Sequence, residues 1–112
     1  MNKNFTEAYV LYRALETLLN SKALKDDDEA IMCASRLFDR YQHDAKTLPM
    51  NVRIASDGKM RAGKWQANRK FVITVEYLER FNVVARYDNL ADAERDLPAF
   101  QKQFGCEEEV AQ

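Results

Sequence analysis

Glycine, histidine and cysteine are scarce in this chain of 112 residues, and each scarcity excludes a class of site. Gly58, Gly63 and Gly105 are far apart, so the chain has no glycine-rich loop of the kind that binds phosphate groups. A zinc site needs three or four nitrogen or sulfur ligands at suitable spacing, and Cys33, His43 and Cys106 form no such motif. The sequence therefore predicts neither a metal nor another cofactor.

The remaining candidates for catalysis have little support. His43 falls on the polar side of a predicted helix beside Asp44, which is typical of a solvated surface histidine rather than a general base. Glu76, Glu79 and the acidic run 26–29 could supply paired carboxylates, but such a run usually marks a solvated helix terminus. We therefore expect a protein without catalytic activity.

Two cysteines are too few for a disulfide framework. Cys33 lies beside apolar residues of the second predicted helix and is expected to be a small core residue. Cys106 follows the last predicted helix and is expected to be a partly exposed free thiol. No apolar run approaches the roughly 20 residues that span a bilayer, and residues 1–5 lack the apolar core of a secretory signal. These features predict a cytoplasmic protein that does not contact a membrane.

Apolar residues recur at three- and four-residue spacing in two segments before Pro49, and this spacing predicts two helices. The first begins at Phe5, with Asn4 and Glu7 as a capping box. The second begins within the acidic run 26–29, whose carboxylates complement the positive helix terminus, and ends at Pro49. Their short connection predicts an N-terminal antiparallel αα-hairpin.

After Pro49 the apolar period changes to two, which predicts a three- to four-stranded antiparallel meander sheet. We expect turns at 56–58 and 78–80, and a further turn at 68–69 unless residues 64–70 form an irregular loop. The first turn would pair Ile54 with Met60. The second would pair Tyr77 with Phe81, Val75 with Val83, Ile73 with Ala85 and Phe71 with Tyr87.

A C-terminal helix is predicted after Asn89, with Pro98 in its interior and Gly105 at its end. Proline removes a backbone donor, so we expect a kink or a break near Leu97. Together these elements predict a single α+β domain over residues 1–106 and a disordered acidic tail over residues 107–112.

The net charge of −1 conceals a segregation of charge along the chain. Residues 71–112 carry four cations against nine anions, whereas residues 50–70 carry six cations against Asp57 alone. A basic segment in a chain that is almost neutral overall is only weak evidence for nucleic-acid binding. The six cations are Arg53, Lys59, Arg61, Lys64, Arg69 and Lys70.

The alternation of the strands predicts which of these charges share a surface. If the apolar positions of each strand face the helices, the opposite face of the sheet mixes cations, one tryptophan and smaller apolar residues. Such a mixture resembles the composition of binding hot spots. Trp65 either belongs to that surface or anchors the last helix or a loop. The opposite face would carry Arg53, Lys59, Arg61, Trp65, Val72, Thr74, Glu76, Val84 and Arg86.

The lack of catalytic motifs favours a non-catalytic module that docks on a larger protein assembly. Short chains of this kind are common among phage and plasmid accessory proteins, including anti-CRISPR inhibitors of host defence or nucleic-acid-handling complexes. The alternative is a nucleic-acid-binding domain that holds phosphates with its cations and stacks bases on Trp65. Pairing of two copies through the edge at 51–55 also stays open. In either case the partner-binding residues are predicted to be Arg53, Lys59, Arg61, Lys64, Trp65, Arg69, Lys70 and Arg86.

Overall fold

The computed structural model describes residues 1–107, in which three helices and three strands form the predicted α+β arrangement. The sheet has three strands, the lower of the two numbers expected. The predicted tail from residue 108 onward lies outside the described residues. The elements are α1 (Lys3–Asn20), α2 (Asp28–Thr47), β1 (Asn51–Arg61), β2 (Lys64–Glu76), β3 (Phe81–Tyr87) and α3 (Leu90–Gln103).

The chain divides into two compact units, which we describe separately. One unit, residues 3–48, is the predicted αα-hairpin of α1 and α2. The carboxylate of Asp27 accepts a hydrogen bond of 3.0 Å from the backbone N–H of Ala30 and so caps α2. Between the two helices the rings of Tyr12 and Phe38 are 5.5 Å apart. The extent of a single domain over residues 1–106 stays a prediction.

The second unit contains residues 1–2 and the chain from Pro49, and its largest feature is one long hairpin of β1 and β2. The hairpin turns at Ala62 and Gly63, whose φ angles of 51° and 76° are those of a type I′ turn. The turns predicted at 56–58 and 68–69 are therefore wrong. At these positions the strands continue, and the register instead shifts between Ser56 and Gly58.

β2 also pairs with β3, in a register that follows the prediction over only half of its length. The predicted pairs Phe71–Tyr87 and Ile73–Ala85 are confirmed. The register then shifts beyond Ile73, so Val75 lies opposite Asn82 and Glu76 lies opposite Phe81. The predicted pairs Val75–Val83 and Tyr77–Phe81 are wrong. An extra residue in β3 moves the side chains of the first residues of that strand to the opposite face of the sheet.

The core of this unit lies between the sheet and α3. Val52, Ile73 and Val75 are fully buried on one face of the sheet. Three apolar residues of α3 and the turn after it, Leu97, Phe100 and Phe104, pack against them. Asn89 caps α3 by accepting a hydrogen bond of 2.9 Å from the backbone N–H of Asp92. The helix continues through Pro98 to Gln103, so of the two expectations there, kink or break, the break does not occur.

The two cysteines have the opposite environments to those predicted. Cys106 is fully buried in the core of the sheet unit, and this burial raises the pKa of its thiol. Gly105, with a φ of +69°, turns the chain after α3 so that the backbone N–H of Cys106 bonds to the carbonyl of Gln101. Cys33 is exposed, because it lies outside the apolar stripe of α2, on the same side as the exposed Leu37.

Candidate functional site

The face of the sheet opposite α3 forms an open groove of about 730 Å³. Its floor contains Val72 and Thr74 on the central strand, which are only 4% and 5% exposed. The hydroxyl of Thr74 donates to the backbone carbonyl of Arg53, which satisfies this buried polar group. Larger side chains flank this floor, namely Arg53, Trp65, Glu76, Phe81, Val83 and Arg86.

Both strand arginines of the groove are held by carboxylates. Arg53 forms an ion pair with Glu76, which lies on the neighbouring strand, and Arg86 forms one of 3.0 Å with Asp57. Exposed ion pairs of this kind add little to stability. Their effect here is to fix the direction of each guanidinium and to compensate its charge before any partner arrives.

Asp57 lies where the register between β1 and β2 shifts, and its carboxylate accepts several hydrogen bonds there. Its carboxylate accepts hydrogen bonds from the side chains of Asn68, at 3.1 Å, and Arg86, and from the backbone N–H of Gly58 at 2.9 Å. The bond from Asn68 is the largest cause that lowers the pKa of Asp57, followed by those from Gly58 and Arg86. Asp57 thereby ties β1 to β2 and to β3.

Trp65 is 57% exposed, so the interpretation of this residue as a buried anchor is wrong. Its indole lies across the backbone of Gly58. A Cβ atom on Gly58 would stand 2.8 Å from the indole and 2.3 Å from the carbonyl oxygen of Gln66. The indole can therefore occupy this position only because residue 58 has no side chain.

Phe81 and Val83 also face the groove, and strand alternation alone did not predict this. They are 67% and 40% exposed, and Phe81 lies opposite Glu76 while Val83 lies opposite Thr74. Their orientation follows from the extra residue in β3. With Trp65, they give the groove three large apolar side chains that water reaches.

The predicted partner-binding residues divide between two surfaces. Arg53, Trp65 and Arg86 share the groove, as expected. Lys59 and Arg61 instead line a second cavity, of about 480 Å³, which shares Asp57, Gly58 and Arg86 with the groove. The prediction of one common face is wrong for these two residues, because they alternate along β1 with Met60, which pairs with Trp65.

Of the remaining predicted residues, Lys64 lies beside the turn of the hairpin, and Arg69 and Lys70 lie where the pairing of β2 is irregular. Lys64 is exposed and lies opposite Arg61, on the side of the hairpin away from Trp65. Arg69 has a φ of +64° and is exposed at the irregular part of β2. Lys70 is exposed and forms an ion pair of 3.4 Å with Asp88. None of these three residues lines either cavity.

Comparisons with protein-family models, curated proteins and solved structures find no match for this chain. Over residues 1–107, His, Cys, Asp and Glu side chains form no group of three or more that could hold a metal ion. Within the same residues, no helix has both the length and the apolar character needed to cross a membrane. His43 is exposed, as predicted.

Proposed function

We propose that this protein is a non-catalytic binding module that docks on a larger protein assembly through its groove. The observation that carries the proposal is the exposure of Trp65, Phe81 and Val83 around a buried floor. Fully burying a side chain of this size is favourable by about 1.5–3 kcal/mol. Three such side chains on one concave surface therefore supply a large driving force for association.

The polar part of the groove favours a protein as the ligand. Arg53 and Arg86 are already paired with carboxylates, so a partner need not supply charges of its own. Aromatic residues and arginines are enriched in protein interfaces, and the arginine stems cover apolar surface while their charged groups stay in water. A protein segment laid along the groove would bury the apolar centre and leave the ion pairs at the rim.

The finer assignment is to a phage or plasmid accessory protein that inhibits a nucleic-acid-handling or defence complex of its host, as anti-CRISPR proteins do. This part of the proposal rests on the lack of catalytic motifs in the sequence. It places the protein in the cytoplasm, where such complexes act.

Site-specific photo-crosslinking tests the groove. A photoreactive residue in place of Trp65 or of Val83 should crosslink the same protein from the native host, at a fixed mass. A probe at Arg36, which is exposed on α2, is the matched control and should not capture that protein. Equal capture from all three positions would contradict the proposal.

A quantitative test then uses the captured partner in purified form. Trp65→Ala should weaken binding by roughly 30-fold, the effect of a hot spot worth about 2 kcal/mol. Lys22→Ala, an exposed residue between α1 and α2, should leave the affinity unchanged. An unaltered affinity for Trp65→Ala, in a variant whose circular dichroism is that of the wild type, would rule the groove out.

A further inference from the structure

The cations on the three strands differ in whether a carboxylate of the protein pairs with them. Arg53, Lys70 and Arg86 each form an ion pair with a carboxylate. Within residues 1–107, no carboxylate pairs with the other four cations of the segment 57–70. These are Lys59, Arg61, Lys64 and Arg69, and all four are exposed.

Three of the unpaired cations lie together on one side of the hairpin. Arg61 lies directly opposite Lys64, and Lys59 lies opposite Gln66. Residues opposite each other have Cβ atoms about 5 Å apart, and diagonal neighbours are about 7–8 Å apart. Like charges in these positions repel and lower stability. The contacts that this chain makes to itself do not explain the arrangement, but an anionic ligand would.

The shape of this region narrows the choice of anion. β3 pairs only with residues 71–76 of β2, so residues 57–70 form a ribbon of two strands. A two-stranded ribbon is one of the elements that the major groove of B-form DNA, about 12 Å wide, admits. Regularly spaced phosphates line both edges of this groove, and they suit a row of cations better than a single carboxylate does.

We infer that the side of the ribbon formed by Lys59, Arg61 and Lys64 binds the phosphate backbone of duplex DNA. The site differs from the groove, because Trp65 lies on the opposite side of the ribbon and takes no part. The inference does not rest on the proposed protein partner. Together, the two surfaces would suit a protein that docks on an assembly already holding DNA.

Salt dependence gives the expected size of the effect. Three phosphate contacts predict a slope of about −2.7 for log K against log salt. Affinity should therefore fall roughly 40-fold between about 50 and 200 mM salt. Since the whole chain has a net charge of −1, attraction to its overall charge cannot supply such a slope.

The test is fluorescence anisotropy with a labelled DNA duplex of about 20 base pairs and mixed sequence, at about 50 mM salt. The variant K59Q/R61Q/K64Q should bind at least about 10-fold more weakly and with a nearly flat salt dependence. The control K22Q/K25Q/R36Q changes the net charge equally at exposed positions of the αα-hairpin unit and should bind like the wild type. W65A should also bind like the wild type.

Four results would overturn the inference. One is the absence of binding by the wild-type protein at about 50 mM salt, and another is equal weakening in both triple variants. A third is equal or tighter binding of poly-glutamate, which would assign the surface to an acidic protein. The fourth is equal binding of duplex RNA, whose deep and narrow major groove does not admit the ribbon. Circular dichroism of each variant verifies that it is folded.

Discussion

The two halves of the β1–β2 hairpin are both paired in the antiparallel direction, but one half is packed in the core and the other is exposed to solvent. In the sheet half, where residues 51–56 pair with residues 71–76, Val52, Ile73 and Val75 are fully buried. In the ribbon half, residues 57–70, every residue from 59 onward is exposed. Tertiary packing therefore holds the sheet half, whereas the turn at 62–63 and the bonds of Asp57 hold the ribbon half.

The two halves of the hairpin also differ in whether their cations are paired with carboxylates, and this difference in charge is relevant to function. Arg53 in the sheet half and Arg86 on the neighbouring strand β3 each have a carboxylate partner, and both line the apolar groove. The ribbon half carries the unpaired cations. A hairpin that leaves its sheet can therefore present two surfaces of different chemistry within a single pair of strands.

The largest expected effect is on stability and separates the two halves. Ile73→Ala should lower the free energy of unfolding by about 2–5 kcal/mol, because it leaves a cavity in the core. Met60→Ala, at a position in the ribbon half that is 62% exposed, should change it by less than about 0.5 kcal/mol. Urea denaturation measures both values. Similar losses for the two variants would contradict the division.

A smaller loss is expected where the indole crosses the backbone. Gly58→Ala should destabilise the protein by about 1–3 kcal/mol and shift the emission of Trp65, since the new methyl group overlaps the indole and the carbonyl of Gln66. Gly63→Ala is the control. It has open space but a positive φ, so it should cost about 1–2 kcal/mol of strain without a spectral shift. Identical spectra for both variants would contradict the placement of Trp65.

Asp57 should contribute to stability in a manner that depends on pH. Its hydrogen bonds, that from Asn68 foremost, lower its pKa in the folded protein. A lowered pKa gives stabilisation that is present above about pH 3.9, the value in an unfolded chain, and lost as the pH falls through the folded value. Asp57→Asn should therefore be less stable than the wild type at pH 7, and this difference should shrink below about pH 4. A difference that stays constant down to pH 2 would contradict the bonds of Asp57.

The smallest expected effect leaves stability unchanged and concerns the two thiols. In native protein at pH 8, Cys33 should react readily with a thiol reagent, whereas Cys106 should not. Burial both shields Cys106 and raises the pKa of its thiol, so little thiolate forms. Titration should count one thiol in the native protein and two in urea. Cys33→Ser keeps Cys106 as its single thiol, so any reaction of this variant in its native state would contradict the core position of Cys106.

The sequence predicted the elements that depend on periodicity or on local capping. The αα-hairpin, the order of helices and strands, and the starts of α2 within the acidic run 26–29 and of α3 after Asn89 follow from short-range patterns. The capping box predicted at Asn4 and Glu7 is wrong, because α1 begins at Lys3 and Asn4 therefore lies inside the helix. The strand alternation also placed Arg53, Trp65 and Arg86 in one groove. Arg53 pairs with Thr74 and Arg86 pairs with Val72 in regular stretches of strand, where alternation is sufficient. The prediction for Trp65 relied on turns that do not form, because this residue lies beyond the register shift.

The misplaced features of the sheet depend on where the strands change register, whereas the two cysteines were misplaced on and after helices. The segment 56–58 has the composition of a turn but forms a shift within β1, while the real turn puts Ala62 in a conformation that only glycine adopts readily. The extra residue in β3 leaves no mark in composition, yet it turns Phe81 and Val83 into the groove. The alternation of a strand predicts the sheet face on which a side chain lies only where no extra residue interrupts the strand.

Acrylamide quenching of Trp65, the single tryptophan, tests most directly whether the groove and the cationic side of the ribbon are separate surfaces. Acrylamide is neutral, so nearby charges do not affect its approach. We predict strong quenching in the free protein and the same quenching constant when the protein is saturated with duplex DNA. Weak quenching in the free protein, or protection of the indole by DNA, would show that Trp65 is not a separate, open surface and would contradict the account.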